Sequence, residues 1–192
     1  MPRLFTGLEL PERLRLQLGH LNVPLTGAKW VEPDDMHLTL RFAGDIGNGK
    51  ARDFADELAH ISVPVFSLRI AGLGAFGGND PHTIWAAVEA GTELDSLAKA
   101  NERAARAAGL PPETRKFKAH VTLARLRGAR ADQVARILER HAAFKSDPIT
   151  IEHFTLFSSR PNTGGGPYAI EEMFPLQGSS IGYDEFDRSW QT

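Results

Sequence analysis

The sequence predicts an α+β protein of two related lobes, each an antiparallel or mixed β-sheet with helices packed outside, facing one another across a central cleft. Three observations lead there. The tetrapeptide His37-Leu38-Thr39-Leu40 returns as His120-Val121-Thr122-Leu123, 83 residues further on. Segments of alternating apolar pattern and segments of helical spacing follow one another as β α β β α β β α β α β β. Neighbouring strands are joined by links of hairpin type, which suit antiparallel pairing and argue against a doubly wound parallel sheet.

Arg3 to Leu10 alternates as a strand, and Pro11-Glu12 opens a helix to about Leu21, proline being tolerated in a first helical turn. Trp30-Val31 is a short extended piece, followed by the turn Pro33-Asp34-Asp35. The first His strand runs from Met36 to Phe42 and stops at Gly44-Asp45. Asn48 to His60 places Ala51, Phe54, Ala55 and Leu58 at helical spacing. Val65 to Leu73 and Thr83 to Glu89 read as a strand pair, and their link, Gly74 to His82, is turn chemistry without the Gly-Lys-Ser/Thr of a phosphate loop. Thr92 to Ala108 is the strongest helix, with Thr92 as its expected cap and Gly109 closing it. The second His strand spans Phe117 to Leu126, a helix covers Ala131 to His141, and Ile149 to Phe157 and Tyr168 to Leu176 complete the strands. The expected organisation is one bilobal domain over 1–177 and a weakly ordered tail over 178–192.

A chain of 192 residues, 42% hydrophobic and 24% charged, is long enough for one sizeable core. Its formal net charge of −2 excludes the basic coat that grips long nucleic acid nonspecifically. The absence of cysteine excludes disulfides, thiolate nucleophiles and cysteine zinc sites. The N-terminal residues gain charge early and do not read as a secretory signal, and no window has the apolar length of a membrane span. A cytoplasmic location, a monomeric state and no obligate protein partner are expected.

In an extended strand residues two apart share a face, so each motif presents an imidazole beside a hydroxyl while the intervening apolar residues hold the strand. A single such strand is usually only half-exposed sheet. Two copies, each followed by a basic residue, point to acid–base chemistry on a small anion, most simply a phosphate, because imidazole gains and loses a proton near neutral pH. A metal site would add a third ligand, often a carboxylate, at helical or hairpin spacing, and none is visible beside the motifs. No metal and no cofactor is expected. Parity along the strand sets Arg41 on the face of His37 and Thr39, and sets Arg125 on the face opposite His120. Phe5 and Phe157 are candidates to flank a base, with core packing the stronger reading. The other five histidines lack a partnering motif.

The paired His-x-Thr-Leu motifs resemble those of the two-histidine phosphoesterases, and the flanking sequence is similar to the bacterial and archaeal RNA 2′,3′-cyclic phosphodiesterases, historically called 2′-5′ RNA ligases. The similarity runs from Arg3-Leu4-Phe5 to Phe174-Pro175-Leu176. It includes Leu8-Glu9-Leu10-Pro11, Trp30-Val31, Arg41-Phe42 with Gly44, Gly72-Leu73-Gly74-Ala75-Phe76, Ile84-Trp85-Ala86, Phe117-Lys118-Ala119, Ala124-Arg125 and Leu156-Phe157-Ser158-Ser159. Two positions depart from the pattern: Ala119 stands where proline is usual, and Phe157 where tyrosine is frequent.

The resemblance implies hydrolysis of a 2′,3′-cyclic phosphate at an RNA end to a 2′-phosphomonoester. It implies His37 as proton donor, His120 as proton acceptor, Thr39 and Thr122 as donors to the phosphate, and Arg125 as a phosphate contact, with Arg41 a second candidate for the nucleotide. From the residues alone the two histidine roles are interchangeable. RNA 3′ ends or small cyclic nucleotides are the expected partners. Ligation, another cyclic nucleotide phosphate as substrate, or an RNA-end binding module without turnover are the alternatives.

Overall fold

The computed structural model describes residues 3–159 and 166–180. Nine strands and four helices follow in the order β1 (Arg3–Glu9), α1 (Glu12–Gly19), β2 (Ala28–Trp30), β3 (His37–Asp45), α2 (Asn48–Ala59), β4 (Phe66–Phe76), β5 (Thr83–Ala90), α3 (Thr92–Ala107), β6 (His120–Leu126), α4 (Ala131–Arg140), β7 (Ile149–Ile151), β8 (His153–Ser159) and β9 (Tyr168–Pro175). A single 3₁₀ turn, Pro33–Asp35, leads into β3. No described helix is long and apolar enough to cross a membrane. The expected tail begins at residue 178, and beyond Ser180 it lies outside the described residues, as does the Asn162-Thr163 loop.

All nine strands join one sheet, in the order β7-β4-β5-β6-β3-β1-β8-β9, with β2 also on β6. Every pairing between named strands is antiparallel. The two motif strands are neighbours at the centre, joined through Leu38 and Val121. Along this path three strands flank the motif pair on each side, β2 adding a fourth on the β6 side, which gives the two-lobe arrangement expected from the repeat.

The apolar residues of the motifs explain why the helices lie where they do. Leu38, Val121 and Leu123 are completely buried, and Leu40 nearly so. α3 packs against this face of β3. It carries Leu94, Leu97, Ala98, Ala104 and Ala105 inward, and α2 adds Phe54 and Leu58. Each large side chain buried here contributes about 1.5–3 kcal/mol relative to exposure. The cap of α3 differs from expectation. Gly91 takes the N-cap position in extended conformation and Thr92 is already helical, so no side-chain cap forms.

One strand read from sequence is two. The segment expected as a single strand from Ile149 to Phe157 breaks at Glu152. β7 pairs with β4 and β8 with β1, near opposite ends of the sheet. Only a curled sheet can place strands one residue apart in this way. After β9, Gln177 exchanges backbone hydrogen bonds with Val63 and Val65, which precede β4. The two ends of the sheet are thereby tied together.

Both motif strands carry a β-bulge just after the threonine. Against β1, Gly7 pairs with Thr39 and Thr6 with Arg41, leaving Leu40 without a partner of its own. Against β5, Trp85 pairs with Thr122 and Ile84 with Ala124, leaving Leu123 as the extra residue. A bulge inserts one residue and reverses the facing of everything after it. This corrects the expectation for Arg41. It leaves the histidine face and turns to the helix layer, where its Nε donates to Glu102 Oε2 at 2.5 Å and its other nitrogens donate to the carbonyls of Phe42 and Pro111. It is 7% exposed. A nucleotide contact is not available to a guanidinium so committed.

The second Glu102 oxygen accepts from the Glu113 amide at 3.1 Å, so Arg41 and Glu102 together fasten the segment before β6 to β3. Removing one partner of a buried pair leaves the other charge uncompensated. Glu102→Ala should cost about 3 kcal/mol in urea unfolding, whereas Arg130→Ala, which loses only an exposed ion pair to Asp132, should cost under about 1 kcal/mol.

Candidate active site

The same inversion that removes Arg41 from the site brings Arg125 into it. Parity counted along a regular strand sets Arg125 opposite His120. The bulge at Leu123 returns it to the histidine face. Arg125 is exposed, and its charge bears on both His37 and Tyr168. The equivalent residue of the first repeat is Phe42, which is 43% exposed with the Arg3 guanidinium over its ring.

The pairing of Leu38 with Val121 puts the two motifs side by side in antiparallel sense, so that His37, Thr39, His120 and Thr122 share one face. The two histidines are held by the same device. His37 Nδ1 lies 2.8 Å from the carbonyl of Asp35, and His120 Nδ1 lies 2.6 Å from the carbonyl of Lys118, two residues earlier in each case. A carbonyl only accepts, so each Nδ1 carries its hydrogen and donates it. Each ring then keeps Nε2, with no protein partner among the described residues, for a substrate. Thr39 and Thr122 are half-buried, and neither hydroxyl bonds to a described residue.

The two imidazoles differ in their surroundings. His37 is enclosed by Phe5 at 4.7 Å, Phe157 at 5.8 Å and the edge of Tyr168 at 5.0 Å between ring centroids. Gly7 leaves the space in which these rings meet, since a β-carbon there would lie 2.7 Å from the Leu38 carbonyl and 3.4 Å from Phe157. Desolvation by this wall drives the His37 pKa down to about 4, with the Asp35 carbonyl opposing and the charges of Arg125 and His120 adding to the fall. His37 is therefore neutral in the free protein at pH 7. His120 has Phe76 edge-on at 5.2 Å and Trp85 at 6.1 Å, and Trp85 lies over Gly74, where a β-carbon would be 2.3 Å from the indole.

Phe5 and Phe157 stack on each other at 5.0 Å and are 3% and 6% exposed, so they form the wall behind His37 and offer no free face to a base. The carboxylate that strand register sets beside His37 is Glu9. It is engaged elsewhere, accepting from His153 Nε2 at 3.4 Å and Thr155 Oγ1 at 2.9 Å. The hydrogen bond from His153 holds its pKa below the ordinary carboxylate range against the effect of burial. Among the described residues no three acidic or histidine side chains converge as a metal site would require.

Sequence reasoning missed Tyr168. It enters from β9 beside Ser159, its ring edge against His37 and Phe5. Burial pushes its phenol pKa above the usual value, so it stays a neutral hydroxyl.

Comparisons with known proteins identify the family. The model of the LigT-like phosphoesterases matches twice, over residues 9–85 and 86–168, one match for each motif. The chain belongs to the LigT-like phosphoesterase family. A curated relative from Aquifex aeolicus, named RNA 2′,3′-cyclic phosphodiesterase, is 30% identical over 88% of this chain and 91% of its own. One of the same name from Thermus thermophilus is 31% identical over 92% and 91%. One from Aeropyrum pernix is 39% identical over 62% of this chain and 66% of its own. Among solved structures, Escherichia coli LigT complexed with 3′-AMP superposes with a TM-score of 0.75 at 25% identity, covering 92% of this chain and 99% of that one.

The low pKa of His37 sets a pH dependence of stability. In the unfolded chain histidine titrates near 6.5, so between that value and about 4 the unfolded state binds the proton and the folded state does not. Stability is complete above pH 6.5 and falls as the pH drops toward 4, by about 3 kcal/mol if this group acts alone. His37→Asn should remove that share of the loss in urea melts at pH 7 and pH 4. In the wild-type protein the His37 imidazole resonances should titrate near 4, and a midpoint near 6.5 would contradict the enclosure described.

Proposed function

We propose that this protein hydrolyses 2′,3′-cyclic phosphate ends of RNA to 2′-phosphomonoesters by acid–base catalysis between His37 and His120, without a metal ion. One observation carries the reading: two imidazoles anchored at Nδ1 to backbone carbonyls, each with a free Nε2, sharing a face with two unpartnered threonine hydroxyls. The names of the relatives agree with it.

Water attacks the phosphorus as one Nε2 takes its proton. The bond from phosphorus to the 3′ oxygen breaks, and the other histidine protonates that oxygen. The product keeps the phosphate on the 2′ oxygen. Thr39 and Thr122 donate to the non-bridging oxygens while charge builds there, and the Arg125 guanidinium balances it. The Tyr168 hydroxyl, neutral beside His37, is a further donor on the same side.

His120 is the acceptor and His37 the donor in this scheme. Because free His37 is neutral at pH 7, it must gain its proton in the complex, where the bound phosphate anion offsets the desolvation that otherwise opposes the charge. The reverse assignment has one observation in its favour, that same neutral imidazole, which is ready to accept a proton.

The kinetics separate the two. His37→Ala and His120→Ala should each lower the rate on an oligonucleotide ending in a 2′,3′-cyclic phosphate by about 10²–10⁴-fold, with far-UV circular dichroism unchanged. Excess chelator should leave wild-type activity intact. The limb belonging to His37 should lie at higher pH in kcat than in kcat/KM, because kcat reports the complex and kcat/KM the free protein. Should His37→Ala abolish the acidic limb instead of the alkaline one, the donor and acceptor exchange names. Product bearing a 3′-phosphate would rule out the reaction proposed.

A further inference from the structure

The site face carries a charge arrangement of which the chemistry at the two histidines uses only Arg125. Lys29 on β2 lies directly across from Arg125 on β6, both exposed. Directly opposed residues on neighbouring strands have β-carbons about 4.5–5.5 Å apart, and like charges in that relation repel. Two other charged pairs of this sheet are of opposite sign: Arg69 and Glu89 face each other across β4 and β5, with Nε to Oε2 at 2.8 Å, and Arg3 faces Asp45 across β1 and β3 at 3.1 Å. Lys29 and Arg125 take part in none of the ion pairs among the described residues. On the far side of Arg125 the row ends in Thr83 of β5. Three strands thus present ammonium, guanidinium and hydroxyl in line, the Thr83 hydroxyl 3.1 Å from His82 Nδ1, and no anion among the described residues pairs with either cation.

The bulged strand places this row three residues beyond Thr122, roughly 7–10 Å along β6 at about 3.3 Å per residue. The Arg125 guanidinium reaches back from there to the reacting phosphate, whereas Lys29, one strand further over, lies outside it and within reach of the next phosphate of a nucleic acid strand. We infer that Lys29 forms a subsite for the phosphodiester on the 5′ side of the terminal nucleotide, so that the preferred substrate is an oligonucleotide end and not a free cyclic mononucleotide. The inference rests on the proposed reaction for its substrate, but the subsite itself is a binding property.

The test compares two substrates and two variants. With an oligoribonucleotide ending in a 2′,3′-cyclic phosphate, Lys29→Gln lowers kcat/KM about tenfold more than it does with a nucleoside 2′,3′-cyclic phosphate, and the fall is in KM. Lys29→Arg keeps the wild-type preference. The slope of log affinity for the oligonucleotide against log salt becomes shallower by about 0.7, the share of one phosphate on a single strand. The melting temperature of Lys29→Gln without ligand does not fall, as it would if Lys29 served the fold. Equal losses on both substrates would assign Lys29 to the reacting phosphate and overturn the subsite, as would no loss on either. Binding of the 2′-phosphorylated oligonucleotide, followed by fluorescence anisotropy, keeps the two readings apart. A protein that turns over neither substrate but loses this binding on Lys29→Gln has the subsite and lacks the proposed reaction. One that turns over both and binds the oligonucleotide as well without Lys29 has the reaction and lacks the subsite.

Discussion

The two halves of this molecule meet in the sheet through the antiparallel pairing of Leu38 with Val121. That contact converts two ordinary half-exposed strands, 83 residues apart in sequence, into one site. Its apolar side chains are fully buried under the helices, which fixes the facing of both strands and leaves the histidines and threonines no choice but the opposite side. Hydrophobic burial on one face is therefore what orients the chemistry on the other.

Much of this was legible in the sequence because strand alternation has a period of two, and the motifs obey it up to the threonine. It failed immediately beyond. A bulge cannot be read from alternation, since it shows itself only in the pairing, and here it occurs in both repeats at the corresponding leucine. Parity therefore sets both Arg41 and Arg125 on the wrong face; the resemblance implies Arg125 as a phosphate contact all the same, and Arg41 alone is lost to the site. The break at Glu152 escaped for a related reason: Ile149 to Phe157 is uniformly strand-like, and only the curl of the sheet dictates that its two parts have different neighbours. Tyr168 lay beyond reach because it belongs to neither motif and arrives through the partner strand β8.

The local twofold between the motifs is not matched by their environments. One imidazole stands in an aromatic enclosure and is driven toward its neutral form, while the other borders Phe76 and Trp85. Acid–base catalysis by two chemically identical groups needs such a difference, because one must hold its proton when the other does not. The repeat supplies the paired geometry, and the departures from the repeat make the two imidazoles unlike.

The position of β7 and β8 bears on how the chain reaches its fold. β1 in one half of the sheet and β4 in the other each receive a strand from the same short stretch, residues 149 to 159. During synthesis on a ribosome neither half has its full complement of partners until that stretch has emerged, although both motifs are made long before. Contacts of such sequence separation form late and slowly. Cutting the chain between the two family-model matches, after residue 85, should thus yield two fragments with open strand edges prone to association, and not two independent lobes.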